Sequence, residues 1–100
     1  MVRHIVLWRL KETANDRGKA ENAAEIKRQL EALNGRIPGL LKLEVGYDFS
    51  RTAESSDIAL YSEFENRAAL DAYQTHPLHE AVKPLVMSSR EERRLVDYQL

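Results

Sequence analysis

The sequence predicts an α+β fold with a ferredoxin-like βαββαβ order, in which an antiparallel four-stranded sheet carries its helices on one face. Four segments have the period-two alternation of strands, and segments with the three-to-four-residue spacing of helices follow the first and the third of them. A chain of 100 residues is the size of one domain, residues 1–100. The strand segments are residues 2–11, 41–48, 57–65 and 94–100.

The first strand is predicted to be central in the sheet. Large apolar residues occur on both of its faces, with Ile5 and Leu7 on one side. The opposite face carries His4, Val6, Trp8 and Leu10. A strand that is apolar on both sides is usually covered twice, so we expect helices on one side and a second layer on the other.

The first helix is predicted over residues 19–34, after a polar turn at residues 15–18. Its apolar side chains recur every three or four residues. They are Ala23, Ile26, Leu30 and Leu33. Asn34-Gly35 is a helix stop, and Ile37-Pro38-Gly39 turns the chain into the second strand, where Leu41, Leu43, Val45 and Tyr47 alternate with polar residues.

The segment between the third and fourth strands predicts two short helices. Asn66 is a candidate N-cap for the first, which carries Ala69, Leu70 and Tyr73. Pro77 suits the first position of the next helix, and Pro84 predicts a kink or an early end. The apolar stripe of that second helical segment is Leu78, Val82, Leu85 and Val86. Residues 91–94 are predicted to be a solvated turn before the last strand.

The sheet face without helices is predicted to be an interface. Six apolar residues of the first, third and fourth strands point to this side if the alternation holds. They are Ile5, Leu7, Ala59, Tyr61, Val96 and Tyr98. A contiguous patch of this kind usually marks a contact surface, so we expect a homodimer formed through the sheet.

Composition excludes several classes of function. The chain has no cysteine, which excludes disulfides and thiol catalysis, and its net charge of −1 gives no reason to expect nucleic acid or an anionic membrane as partner. No apolar run reaches the roughly 20 residues of a membrane span, and no leader pattern precedes the first strand, so a cytoplasmic protein is expected. His76 and His79 are three residues apart without obvious carboxylate ligands, and no metal site is expected.

Several motifs together resemble one known family. They are His4-Ile5-Val6-Leu7, Ile37-Pro38-Gly39, Phe64-Glu65-Asn66-Arg67-Ala68-Ala69-Leu70, Tyr73-Gln74-Thr75-His76-Pro77-Leu78-His79 and Leu95-Val96-Asp97-Tyr98. With these motifs the chain resembles the stress-responsive A/B barrel domain (Dabb) over nearly its whole length. The resemblance implies a dimeric α+β barrel, in which two sheets pack face to face.

The resemblance also implies candidate site residues. A similar plant enzyme, olivetolic acid cyclase, closes a polyketide ring by aldol chemistry without a cofactor. Matching motifs imply catalytic roles for His4, Tyr73 and His79, with no cofactor. Substrate-binding positions would be Val6, Trp8, Leu30, Leu60 and His76. The first helix lacks the aromatic residues of that cyclase, so the long polyketide tail is not expected to fit.

The residue types suit such chemistry independently of the resemblance. Histidine titrates near neutrality and can remove a proton next to a carbonyl, and a tyrosine hydroxyl can donate to the resulting oxyanion. Structural roles remain open: His4 and His79 could be hydrogen-bonded core residues, and His76 could cap a helix. Trp8 is expected to be core or cavity wall.

Three possible functions follow from these candidates. The first is a small dimeric protein whose His/Tyr pocket binds a small carbonyl or aromatic compound, in a cellular role that the residues do not define. The alternative is a cofactor-free cyclase or lyase that uses His and Tyr for enolisation or aldol chemistry. A cofactor-free monooxygenase, a role known among dimeric α+β barrels, is the third.

Overall fold

Ten elements follow one another in the computed structural model, which describes residues 1–100. The strands are β1 (Val2–Leu10), β2 (Thr13–Ala14), β3 (Arg17–Gly18), β4 (Leu40–Tyr47), β5 (Ile58–Phe64) and β6 (Arg90–Gln99). The helices are α1 (Lys19–Glu31), α2 (Arg67–Gln74), α3 (Pro77–Glu80) and α4 (Lys83–Ser89). The four long strands form one antiparallel sheet in the order β4-β5-β1-β6, which confirms the predicted ferredoxin-like fold and the central position of β1.

The core lies between the sheet and the helices, on the face predicted for β1. Val6 and Leu10 of β1 are buried there, and Ile26 and Leu30 of α1 pack over the same side. Alternation along β5 also holds, because Ile58, Leu60, Ser62 and Phe64 are buried while the residues between them are partly exposed. The hydrophobic periodicities therefore identified the buried faces of β1, β5 and α1.

Local capping and helix breaks also follow the sequence. The Asn66 side chain accepts a hydrogen bond of 2.8 Å from the Ala69 N–H at the start of α2, which confirms the predicted N-cap. Pro77 opens α3, and Pro84 stands in the first turn of a separate helix, α4. Helix α1 ends at Glu31, three residues before the predicted end, because residues 32–36 form turns that lead to Gly35 in the left-handed region.

The polar turn at residues 15–18 is a small hairpin, which the sequence reading missed. Thr13 pairs with Gly18 and Ala14 with Arg17. Both connecting residues, Asn15 and Asp16, have positive φ angles of 56° and 58°. Two consecutive left-handed residues are the geometry of a type I′ turn, and asparagine and aspartate tolerate it better than most residues.

The predicted alternation of β4 is wrong at its first residue. A register shift between Leu40 and Lys42 places Leu41 in a bulge, where its side chain is 53% exposed, and Leu40 takes the core position instead. An extra residue in one strand shifts the alternation by one position, so Leu41 leaves the apolar face. Leu43 and Val45 are buried as predicted.

Residues 91–94 are strand rather than the predicted solvated turn. β6 begins at Arg90 and pairs with β1 from the start, with Arg93 opposite Trp8 and Arg94 opposite Leu7. The charged residues predicted a turn, but they are compatible with a strand here because β6 lies at the edge of the sheet and its side chains are largely exposed. On its inner side the backbone of β6 forms hydrogen bonds with β1.

The second sheet face carries an apolar stripe between charged rows. Ile5 lies directly between Tyr61 and Val96, and Leu7 lies beside Ala59. Charged side chains border this stripe on both sides. They include Arg3, Arg9, Lys42, Glu44, Glu63, Glu92 and Arg94. The apolar patch predicted from alternation is therefore present, and charged side chains border it.

Four helices cover one face of the sheet, and α1, with 13 residues, is the longest. None of the four has both the length and the apolar character that crossing a membrane would require.

Candidate functional site

A cavity of about 230 Å³ lies between the covered face of the sheet and the helices. Every long strand except β4, and all four helices, contribute side chains to its wall. The lining residues are His4, Val6, Trp8, Leu30, Leu60, Gln74, His79, Val82, Lys83, Val86, Met87, Arg90 and Arg93. Most of the apolar side chains come from the core, whereas Met87 of α4 is exposed at the surface. The polar side chains belong to β1, β6 and the helical segment after β5.

Six of the eight residues singled out from the sequence meet in this cavity. They are His4, Val6, Trp8, Leu30, Leu60 and His79. The alternation of β1 explains the first three, because residues two apart point to the same side of a strand. Tyr73 and His76 are absent from the cavity lining.

Tyr73 is sealed in the core next to the cavity. Its side chain is fully buried, its ring stacks on His79 with the ring centroids 4.1 Å apart, and the Phe64 ring packs against it at 5.0 Å. The Tyr73 hydroxyl is buried and has no hydrogen-bond partner in the chain. Burial raises the pKa of this hydroxyl well above its ordinary value, so the group remains protonated. The structure thus makes Tyr73 a support for His79 rather than part of the wall.

His76 caps a helix, one of the two roles considered for it. Its Nδ1 accepts a hydrogen bond of 3.1 Å from the Leu78 N–H at the start of α3. The ring therefore serves the local backbone, and expecting it in the cavity wall was wrong, because capping turns it toward the helix end.

His4 is held by a partner that the sequence reading missed. Its Nδ1 is within hydrogen-bond distance of Asp97 Oδ1, and its side chain is 3% exposed. The two residues are direct cross-strand partners of β1 and β6, so their side chains leave the sheet on the same face. Asp97 stood inside one of the motifs that carried the family resemblance, and a carboxylate between apolar strand residues was the signal that could have identified it.

His79 lies half-buried on α3, and burial affects its pKa more than the neighbouring charges do. Burial lowers the pKa of its imidazole below the ordinary value of 6.5, and the positive charge of Lys83 acts in the same direction. Its Nδ1 lies 3.4 Å from the Gln74 carbonyl oxygen. A neutral imidazole at neutral pH can accept a proton, so His79 is chemically competent as a base.

The cavity therefore combines two histidines with an apolar wall. The carboxylate of Asp97 can accept the Nδ1–H of the neutral His4 ring, so Nε2 is the nitrogen that can accept, and no hydrogen bond within the chain involves it. No group of three or more His, Asp or Glu side chains is arranged to hold a metal ion. This arrangement supports ligand binding and proton transfer by imidazole.

Solved structures with the same fold include dimeric proteins. A dimeric protein of unknown function with a ferredoxin-like fold from Bacteroides fragilis is 36% identical, with a TM-score of 0.87, covering 99% of this chain and 95% of the other. A dimeric ferredoxin-like protein of unknown function from Thermobifida fusca is 26% identical, with a TM-score of 0.84 and coverage of 99% and 90%. The hydroxynitrile lyase of Passiflora edulis shares the fold at 19% identity, with a TM-score of 0.82 and coverage of 99% and 92%.

Sequence comparison gives the family. No curated protein matches this chain. The sequence pattern described as the stress responsive A/B barrel domain, Dabb, matches residues 2–100. The chain therefore belongs to the stress-responsive A/B barrel domain family.

Proposed function

We propose that this chain forms a homodimer whose protomers each bind a small carbonyl or aromatic compound in the cavity between sheet and helices. The observation that carries the proposal is the convergence of His4 and His79 on a cavity where seven of thirteen lining residues are hydrophobic. Ligand sites in proteins commonly combine an apolar wall with a few convergent polar groups.

The size of the cavity favours a compact ligand. Its volume of about 230 Å³ is below the range of roughly 300–1,000 Å³ that is usual for drug-sized ligands. Trp8 and Leu60 close it from the sheet side, and Leu30 of α1 closes it from the helix side. A one-ring compound suits this space better than a long polyketide, in agreement with the expectation from the first helix.

The dimer is proposed from the second sheet face. Structural neighbours from two bacteria are dimeric, and the stripe of Ile5, Leu7 and Val96 is an apolar surface that a partner would cover. A symmetric interface places the same stripe of both protomers in contact, which matches its position across the centre of the sheet. The ligand cavities would then lie on the outer sides of the two sheets.

A cofactor-free lyase or cyclase activity is the second candidate, and the His4–Asp97 pair favours it. With its Nδ1–H directed to Asp97, His4 can accept a proton at Nε2 from the carbon next to a carbonyl. The electron pair of the broken C–H bond then moves to the carbonyl oxygen and gives an enolate. Return of the proton from Nε2 to carbon would complete an exchange. In an aldol reaction the enolate carbon attacks a second carbonyl carbon, and Nε2 then gives its proton to the alkoxide that forms.

Binding can be tested with acetophenone, a neutral one-ring ketone. We expect a titration followed by NMR to shift the resonances of His4, Trp8 and His79. Met87→Trp places a bulky ring in the cavity wall and should abolish these shifts, whereas Leu41→Trp, at an exposed position away from the cavity, should retain them. Shifts that persist in Met87→Trp would argue against this cavity as the binding site.

Catalysis can be tested by hydrogen–deuterium exchange at the acetophenone methyl group in D₂O. A general base contributes about 10²- to 10⁴-fold in rate, so we expect wild-type protein to accelerate exchange and His4→Ala to remove the acceleration. His79→Ala and the double variant complete the set, because residues that act as one unit are non-additive. If wild-type protein binds the ketone but does not accelerate exchange, the enzyme candidate fails and the binding proposal stands.

A further inference from the structure

The charged part of the cavity wall is entirely cationic. Lys83, Arg90 and Arg93 line the cavity, and no aspartate or glutamate does. Two carboxylates next to the site lie outside the lining and are engaged: Asp97 by His4 and Glu80 by Lys83. A wall with positive groups and no negative ones attracts anions and repels cations.

Two of these cations have no partner within the chain. Lys83 Nζ is satisfied, because it donates to Glu80 Oε1 at 2.6 Å and to the Gln74 carbonyl at 2.7 Å. Arg90 and Arg93, in contrast, make no ion pair and no side-chain hydrogen bond. Arg94, next to Arg93 in sequence, donates to Glu92 Oε1 at 2.8 Å. The two guanidinium groups that line the cavity are therefore free to bind a ligand.

A third unused donor belongs to the same part of the wall. Trp8 is the cross-strand partner of Arg93, and its indole Nε1–H is buried without an acceptor. Arg90 lies opposite Leu10, two positions further along β1. The end of the β1–β6 pair therefore carries three side chains that can only donate hydrogen bonds. The buried one, Trp8 Nε1, lacks the acceptor that buried donors in folded proteins nearly always have.

We propose that the cavity recognises an organic anion, a carboxylate on a compact apolar body, with Arg93 and Arg90 binding the carboxylate. A guanidinium group matches a carboxylate in geometry and can form two parallel hydrogen bonds with it. The apolar body would contact Val6, Leu60 and Val86, and its far side would face the histidines. This inference rests on the proposed binding function and specifies the chemical class of its ligand.

The test uses three probes of nearly equal shape: benzoate, benzamide and acetophenone. NMR titrations of the wild-type protein at low ionic strength give the three dissociation constants. We expect benzoate to bind at least about tenfold more tightly than benzamide, since a hydrogen bond to a charged group is stronger than a neutral one. Added salt should weaken the binding of benzoate and leave benzamide nearly unchanged.

Arg93→Gln and Arg94→Gln form a matched pair of variants. The two variants each remove one positive charge, at adjacent positions of β6. Arg93 faces the cavity, whereas Arg94 faces the opposite side of the sheet. Arg93→Gln should bring the affinity for benzoate down to that for benzamide, and Arg90→Gln should weaken it in the same direction. Arg94→Gln should retain the preference, and light scattering would verify that its oligomeric state is unchanged.

The possible outcomes separate this inference from the function on which it rests. If benzamide and acetophenone bind and benzoate binds no more tightly, or if Arg94→Gln reduces the preference as much as Arg93→Gln, the anion proposal is overturned and the cavity remains a neutral-ligand site. If none of the three probes binds at millimolar concentration, both proposals are overturned.

Discussion

The imidazole Nδ1 of His4 and the carboxylate of Asp97 form a hydrogen-bonded pair across two neighbouring strands, although 93 positions separate the residues in the sequence. The pair joins the second half of β6 to the first half of β1 on the face that lines the cavity. Because a carboxylate accepts the proton of Nδ1, the pair sets the tautomer of the ring and leaves Nε2 as the nitrogen that can accept.

The tautomer of His4 should depend on Asp97. Asp97→Asn replaces an acceptor by an amide that can donate to Nδ1, so the ring proton should move to Nε2, as it does when asparagine replaces the aspartate of a catalytic triad. Ring ¹⁵N shifts would detect this change, and any exchange activity toward acetophenone should fall with it. Asp71→Asn, at an exposed position of α2, is the control. Identical His4 shifts in wild type and Asp97→Asn would contradict the assignment.

Folding stability should decline in mild acid because of His79. Burial holds the pKa of this imidazole below its ordinary value of 6.5, so the unfolded chain takes up a proton at a higher pH than the folded chain does. The stabilisation that the neutral His79 ring gives to the folded state is therefore fully present above about pH 6.5. It decreases as the pH falls from there toward the lower pKa of the folded state. His79→Phe keeps a ring against Tyr73 and removes the titration, so it should flatten the pH dependence of the urea midpoint. An unchanged slope would contradict this role.

The protein should have the mass of a dimer in solution. Light scattering at micromolar concentration should give about twice the 11.5 kDa of one chain, and a stable interface of this type buries at least roughly 1,000 Å². Val96→Glu places a charge in the apolar stripe and should shift the equilibrium toward monomer, as should Tyr61→Arg, which also brings a second cation next to Arg3. Arg36→Glu, exposed between α1 and β4, should leave the mass unchanged. A monomeric wild type would exclude the dimer.

Gly39 should be far less tolerant of substitution than Gly35. Both have positive φ angles, 82° and 75°, but a Cβ at Gly39 would lie 2.5 Å from the Ala69 Cβ, whereas a Cβ at Gly35 would meet nothing within 4 Å. Gly35→Ala should therefore cost about 1–2 kcal/mol from backbone strain alone, and Gly39→Ala about 3 kcal/mol or more. Urea unfolding at fixed protein concentration measures both. Adding Ala69→Gly to Gly39→Ala should recover part of the loss, and equal costs for the two alanine variants would refute the contact argument.

The sequence by itself determined the order of the long elements and the buried faces of β1, β5 and α1. Periods of two and of three to four residues are local properties of a strand or helix, so they placed His4, Val6 and Trp8 on one face and Leu30 on the matching face of α1. Caps and helix breaks are also local, which is why Asn66 and Pro84 were interpreted correctly. The family motifs added the expectation that His4 and His79 share a site.

Only the tertiary structure decided which groups meet in the cavity and which are closed off from it. Asp97 reaches His4, and Arg93 reaches the wall beside Trp8, because of the register between β1 and β6, and this register depends on pairing between the two ends of the chain. Tyr73 belongs to the apolar face of α2 whether its role is catalytic or structural. Whether its hydroxyl reaches the cavity depends on how α2, α3 and the sheet pack together. Local patterns set the direction of a side chain, whereas its neighbours are set by segments distant in sequence.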